Sequence, residues 1–306
     1  MQKLRYGQLV VMVGWTCVLS AQSLAEPGQV TVMTYNVQNM FDVFDDPYTL
    51  DETTRVKPRH QISRIAAMIR RANADIVAFQ EVENEGVLKA MVHEMLPRAG
   101  YRYVAATATN SDRGGNLGLI SRLPVLSLTS HRLQDLALTD DPQTWRFARD
   151  LLLARIRVPG DRVLALFIVH LKSKRDSEGD EQSRRWRLAE AVAARRIVDA
   201  WRHEHPSEWT LVVGDVNDTP QSPTLNALLV PNRNAPRPLT DVHAHLPTDR
   251  RVTYLRPPYR STVDYILAGP DLAARVVPNS ARVPADASQL GGSDHAPVVA
   301  AFDLRE

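Results

Sequence analysis

Between Leu211 and Pro220 the sequence reads LVVGDVNDTP, and Asp215 and Asn217 within it are spaced for work on a phosphate. Side chains alternate along extended backbone, so residues two apart can face the same way. Here that pairs a carboxylate acceptor with an amide that both donates and accepts, a set suited to a phosphate and a metal-bound water. An Asp/Asn turn that only caps the following segment has the same composition. What favours chemistry is the company: Asn36 in MTYNVQN, Glu81 in FQEVEN, His170 in FIVHLKSK, Asp264 in VDYIL and Asp294-His295 in SDHAPV. Each places polar residues beside a β-prone run, where a core has no use for them. Taken singly, Asn36 is a strand cap, Glu81 a surface residue and His170 a hydrogen-bonded structural histidine. Six such places together are hard to assign to coincidence.

These residues need rigid elements to hold them. The apolar run 209–213 is too short for a helix and is closed by Gly214, which predicts a buried strand delivering Asp215 where a sheet ends. Residues 29–37, rich in Val, Thr and Tyr, predict a first strand ending at Asn36. Periodicity at Ile62, Ile65, Ala66 and Ile69 predicts a helix, broken at Asn73-Ala74-Asp75 before a strand over 76–79 with Gln80 and Glu81 at its far end. A helix over about 86–96 and a strand over 101–105 complete an alternating opening, the signature of α/β construction. From Asn116 to Val169 four short β-prone runs, 117–120, 125–128, 151–158 and 163–169, predict an antiparallel meander. Pro124, Asp140-Asp141-Pro142 and a hairpin turn at Pro159-Gly160-Asp161 separate them. Residues 183–203 predict a long helix burying Trp186, Leu188, Val192, Ile197 and Trp201. Its arginines, Arg184, Arg185, Arg187, Arg195, Arg196 and Arg202, are expected on a solvated face. A short helix near 223–229, a proline-broken loop over 231–238, strands near 252–255 and 262–267 and a closing strand over 297–302 follow. The acidic stretch FDVFDDPYTLDE, 41–52, is expected to be a loop with solvated acids.

Composition sets the frame. A chain of 306 residues with 44% hydrophobic content has ample material for one large domain, and no repeat or linker divides residues 26–306. Residues 1–25 combine a basic start (Lys3, Arg5), an apolar segment over 9–19 and a small-residue site at Ser23-Leu24-Ala25, the pattern of a cleaved export signal. That segment falls short of the roughly 20 residues that span a bilayer, so no stable membrane anchor is expected and the address is periplasmic or extracellular. The single cysteine, Cys17, lies inside the signal, which removes disulfides and thiolate chemistry from the mature chain. Net charge is +2 for the whole chain, and removing Lys3 and Arg5 leaves 35 basic and 35 acidic residues. A globally basic nucleic-acid binder is therefore not indicated, and any polyanion contact must be local.

The motifs GDVND and SDHAPV, reinforced by QEVEN and HLKSK and occurring in that family's order over about residues 31–302, resemble the endonuclease/exonuclease/phosphatase superfamily. Its members include pancreatic-type deoxyribonuclease, exonuclease III-type repair enzymes, neutral sphingomyelinases and inositol-polyphosphate phosphatases. The resemblance implies a four-layer α/β sandwich, two mixed β-sheets face to face with helices outside, and a site at one edge of the sheets. It also implies a divalent cation, because hydrolysing an anionic phosphodiester requires neutralised charge, an in-line water and a protonated leaving oxygen. An all-oxygen shell favours Mg²⁺ or Mn²⁺. Glu81 is the first expected ligand, with Asn36 and Asp294 beside it. Asp215 is expected to align or deprotonate the water or to hold a second ion, and Asn217 to bind the phosphate. Asp264 orients His295, and His170 is a phosphate contact or the leaving-group acid. Arg149 and Lys172 are candidate phosphate contacts. One departure is Gln38, where many relatives carry an acid two residues after the motif asparagine; this favours one essential ion over two.

The leading expectation is an exported, monomeric, metal-dependent phosphodiesterase acting on DNA or RNA. Zero net charge and the lack of a clear basic, aromatic-rich groove in the sequence stand against nucleic acid. A lipid or small-molecule phosphoesterase is the alternative, kept open by Pro257-Pro258-Tyr259 and Trp145. A non-catalytic binding domain on the same fold comes third.

Overall fold

The alternating patterns resolve into two sheets and two helical layers in a computed structural model that describes residues 28–44, 46–137, 145–177, 179–230 and 238–305. The expected export signal, the turn at 140–142 and most of the 231–238 loop lie outside them. The chain runs β1 (Gln29–Met40), α1 (Arg59–Ala72), β2 (Ile76–Val82), α2 (Glu85–Met95), β3 (Tyr103–Thr107), β4 (Asn116–Ser121), β5 (Val125–Ser130), β6 (Leu151–Val158) and β7 (Arg162–His170). It continues with α3 (Arg184–Glu204), β8 (Trp209–Asp215), α4 (Pro223–Leu229), β9 (Thr240–Asp241), β10 (Asp264–Ala268), α5 (Pro270–Ala273) and β11 (Val298–Asp303). The first sheet has the order β11-β1-β2-β4-β3 and the second β5-β6-β7-β8-β10-β9. Both are mixed, with β1–β2 and β7–β8 the parallel pairs.

Period-two alternation explains the layering. On β1, β2, β7 and β8 one set of residues, Val32, Ile76, Ala78, Leu166, Ile168, Leu211 and Val213 among them, faces the opposite sheet in a shared core. The other set faces outward: Met33, Tyr35, Val77 and Phe79 pack under α1 and α2, and Phe167, Val169 and Val212 under α3 and α4. Strands covered on both faces read as near-continuous apolar runs, as β7 and β8 do. Each Leu, Ile or Val buried this way contributes about 1.5–3 kcal/mol. Local signals set the helix ends: Asn84 and Ser222 accept the Val87 and Leu225 N–H groups as N-caps, and Asn73 closes α1 in the left-handed conformation. No helix among the described residues is long and apolar enough to cross a membrane.

Four expectations need correction. The meander is split, because β4 pairs with β2 and β3 in the first sheet while β5, β6 and β7 continue in the second; alternation within a strand does not say which partner it finds. The hairpin at 159–161 is as expected, with Gly160 at φ +77°. Residues 252–255 form no strand beyond single bridges from Tyr254 to Ser261 and His295. On α3, Val192 is exposed, and Arg187 and Arg195 are 1% exposed because acids and carbonyls distant in sequence pair with them. Within the acidic 41–52 loop, Asp51 is buried.

Candidate active site

Three adjacent strand ends in the second sheet build one side of the site. Asp215 ends β8 with His170 opposite it on parallel β7 and Asp264 opposite it on antiparallel β10. Gly214 makes this approach possible: its φ is +133°, and a Cβ there would collide with the Val169 carbonyl oxygen. Beyond Asp215 the backbone turns. Asn217 has φ +53° and donates its N–H to Asp215 Oδ1 at 2.8 Å and its amide Nδ2 to Leu171 O at 2.9 Å. Strand alternation therefore does not place Asn217; an Asx turn held by Asp215 does.

The first sheet supplies the other side through bent strand ends. Gln38, Asn39 and Glu81 all have positive φ, where β1 and β2 lose their regular register. Left-handed Gln and Glu are uncommon and store strain. The bend lets Asn39 N–H donate to Glu81 Oε2 at 3.1 Å. Asn36 Nδ2 then spans the sheets, 3.3 Å from Glu81 Oε1 and 3.1 Å from Asp215 Oδ2. The last loop is tied in by Ser293, which donates to Asn36 O and accepts from His295 N–H, and by Gln38 Oε1, which accepts from Asp294 N–H.

Around this bridge the charges are tightly spaced. His295 Nδ1 lies 2.8 Å from Asp264 Oδ2, and its Nε2 lies 3.9 Å from both Asp215 and Asp294. Burial works against a charged His295, but the carboxylates of Asp264, Asp215 and Asp294 outweigh it and raise its pKa to about 10. His170 Nε2 stands 3.5 Å from Asp215 Oδ2, yet burial and then Arg149 hold this imidazole well below its ordinary range, so it is neutral. Burial and the neighbouring Asp264 push Asp215 up to about 7. Burial also raises Asp294, with Glu81 repelling it. One imidazolium and one neutral imidazole thus share a single carboxylate.

All ten residues singled out in the sequence meet here. Eight line a cleft of about 1430 Å³, and Asn36 and Asp264 are buried beneath it. Arg149 donates to Leu171 O, and Lys172 Nζ lies 4.7 Å over the Trp186 ring. The expected lack of a basic groove is corrected: Arg113, Arg146, Lys174, Arg175, Arg256 and Arg260 add further cations to the lining, with Trp186, Tyr254 and Tyr259 between them. Net charge averages over the chain and hides this local excess. Tyr254, edge-on to His295 at 5.1 Å, is the site residue sequence reasoning missed most plainly. The run Lys172-Ser173-Lys174-Arg175 after His170 was the available signal for the rim.

A cation suits the donor set. Glu81 and Asp294 repel each other across the floor of the cleft and both attract the buried Lys57 ammonium, and Asp264 Oδ1 is buried without a hydrogen-bond partner. Asp215, Asp264 and His295 also approach one another within 4.8 Å, close enough to surround an ion. The 2.8 Å hydrogen bond between His295 Nδ1 and Asp264 Oδ2 already engages two of those three groups, so the Glu81–Asp294 side is the better fit.

The comparisons with known proteins agree with this fold. No curated protein matches the chain. Among solved structures, the human Nocturnin catalytic domain with bound sulfate is 18% identical at TM-score 0.64, covering 91% of this chain and 95% of that one. Danio rerio (D. rerio) TDP2 complexed with a single-stranded DNA product is 18% identical at TM-score 0.56, covering 90% and 98%. An endonuclease/exonuclease/phosphatase from Bacteroides vulgatus is 17% identical at TM-score 0.58, covering 90% and 99%. At these identities the likeness shows the fold, two mixed sheets with helices outside. The sequence itself matches the Endonuclease/Exonuclease/phosphatase family over residues 31–254, which hold the bent strand ends and the Asp215 turn, and the chain belongs to that family.

Proposed function

We propose that this chain is an exported, divalent-metal-dependent phosphodiesterase that hydrolyses nucleic acid. The observation that carries the reading is the junction of an acid–imidazole cluster with a cation- and aromatic-lined cleft of about 1430 Å³, larger than the roughly 300–1,000 Å³ of small-molecule pockets. Such a lining suits a polyanion whose bases stack, and one relative was captured with a single-stranded DNA product.

Glu81 and Asp294 would hold Mg²⁺ or Mn²⁺, with Asn36 beside them; the ion supplies charge neutralisation at the phosphate. Asn36 keeps Glu81 and Asp215 in fixed relation through its amide nitrogen. Asp215, tuned to about 7, accepts a proton from an aligned water near neutral pH. His295, kept charged by Asp264, presents Nε2–H to the phosphate and can return a proton to the departing oxygen. A neutral His170 suits a phosphate contact better than an acid. Asn217, Arg149 and Lys172 complete the phosphate shell.

A second reading, a lipid phosphoesterase, draws on Val43, Phe44, Tyr48 and Leu50, exposed on one loop whose Leu50 N–H bonds Asp112 at the cleft. The test is a panel on purified mature protein: plasmid, single-stranded DNA, RNA and sphingomyelin vesicles, each with Mg²⁺, Mn²⁺ or chelator. Chelator-sensitive cleavage of nucleic acid is expected. Phosphocholine release without nucleic-acid cleavage would transfer the proposal to the second reading.

A further inference from the structure

Helix α3 buries a charged pair one turn apart. Arg187 is 1% exposed and Glu190 0%, and neither was expected inside. Their partners are not random. Glu190 Oε2 accepts the Lys172 N–H at 2.6 Å, and its Oε1 accepts the Ala148 N–H at 2.7 Å. Arg187 Nη1 donates to the Lys172 carbonyl at 3.2 Å and to the Gln182 carbonyl at 2.9 Å, and its Nε lies 3.4 Å from Asp218 Oδ2. The backbone of Lys172 is therefore held at both its N–H and its C=O. Ala148 immediately precedes Arg149, and Asp218 immediately follows Asn217. Trp186, the residue before Arg187, carries the Lys172 ammonium over its ring.

Burying two charges is a poor route to stability, because desolvation offsets much of the attraction and an apolar pair of similar volume does as well. What the charges do that Leu or Met cannot is grip main-chain donors and acceptors in three loops at once. We propose that Arg187 and Glu190 are positioning residues that fix Arg149, Lys172 and Asn217 at the spacing of a bound phosphate. The assignment rests on the phosphodiesterase reading and adds to it how the cationic wall is set. It also accounts for the two left-handed residues Gln182 and Ser183, which bring the loop carbonyls round to Arg187.

The test compares E190Q, R149A and the double variant in the full mature protein. Glutamine keeps the shape of Glu190 but turns an NH₂ group toward one of the two N–H donors. Loss of one phosphate contact, about 1.4 kcal/mol, corresponds to about a tenfold change. We expect E190Q to raise KM for an oligonucleotide about tenfold with kcat within about twofold, the pattern of lost ground-state binding. R149A should act alike, and the double variant should fall short of the product of the two single effects, since E190Q acts in part through Arg149. A purely structural Glu190 would instead lower the melting temperature and leave KM unchanged, or its effect would multiply with that of R149A; either result overturns the proposal. If E190Q does not fold, R187K takes its place, keeping the charge against Asp218 but unable to span the carbonyls. A second measurement, anisotropy of a fluorescein-labelled oligo(dT) in chelator, separates this idea from the activity. Weaker binding by E190Q with no cleavage by any variant would sink the nuclease reading and keep the positioning role. Unchanged binding alongside normal cleavage would do the reverse.

Discussion

Each sheet is built round a parallel strand pair joined by a helix, β1-α1-β2 in one and β7-α3-β8 in the other, and the two halves deliver their polar residues by different means. In the first half, the buried residues of α1 are the apolar Ile65, Ala66, Met68, Ile69 and Ala72, and its charged residues stay on the outer face. Orientation there comes from the backbone, bent through positive φ at Gln38, Asn39 and Glu81. In the second half β7 and β8 stay in register to His170 and Asp215, and the helix contributes charge through Arg187 and Glu190. A strand end can be aimed by strain within itself or by a neighbour that grips it. On the phosphodiesterase reading proposed above, the first half would aim Glu81 at a cation and the second would aim the groups that meet the phosphate.

The comparison can be broken most sharply at Asp215, where the halves touch through Asn36. D215N should lower kcat by at least about 10³-fold, roughly 4 kcal/mol of transition-state stabilisation, with the circular dichroism spectrum unchanged. Residual activity within tenfold of wild type would remove Asp215 from the chemistry. G214A comes next. Its Cβ meets backbone that cannot move aside, and denaturant unfolding should show a loss of about 3 kcal/mol. A loss under 1 kcal/mol would mean that the close approach of β7 and β8 is not enforced there.

On the cation side, E81Q should weaken the Mg²⁺ response about 100-fold, with partial recovery as the metal is raised. A Mg²⁺ titration identical to wild type would place the ion elsewhere. pH gives a smaller handle. His295 is held at about 10 against an ordinary 6.5, so its contribution to stability is complete below about pH 6.5 and is lost as pH rises through 10. In chelator, wild-type unfolding free energy should decline across that window, and H295Q should show a flatter profile. Parallel profiles would show that His295 carries no extra proton. The smallest effect is expected in α1: I69V should cost about 1 kcal/mol while leaving kcat and KM alone. A change in KM there would erase the distinction between the two helices.

Much of this molecule could be read from its residues. Apolar runs ending in polar residues located β1, β2, β7, β8 and β10 closely, because strands buried on both faces leave a plain hydrophobic record. The candidate site residues were legible for a related reason: a polar side chain at the end of such a run has no packing role to hide behind. Arg187 and Glu190 were not legible, since helical periodicity assigns charged residues to solvent and their partners, Lys172, Ala148 and Asp218, lie 15 to 42 positions away. Nor could zero net charge reveal a cationic cleft.

The sequence by itself determined which residues could do chemistry and which strands would carry them, because composition and alternation are local properties of the chain. Only the tertiary structure decided that β4 leaves the meander for the other sheet, that Asn217 turns back onto Asp215, and that α3 turns buried charge toward the loops. Those outcomes depend on which distant donors and acceptors come within hydrogen-bonding reach, and that is fixed only when the two sheets close on each other.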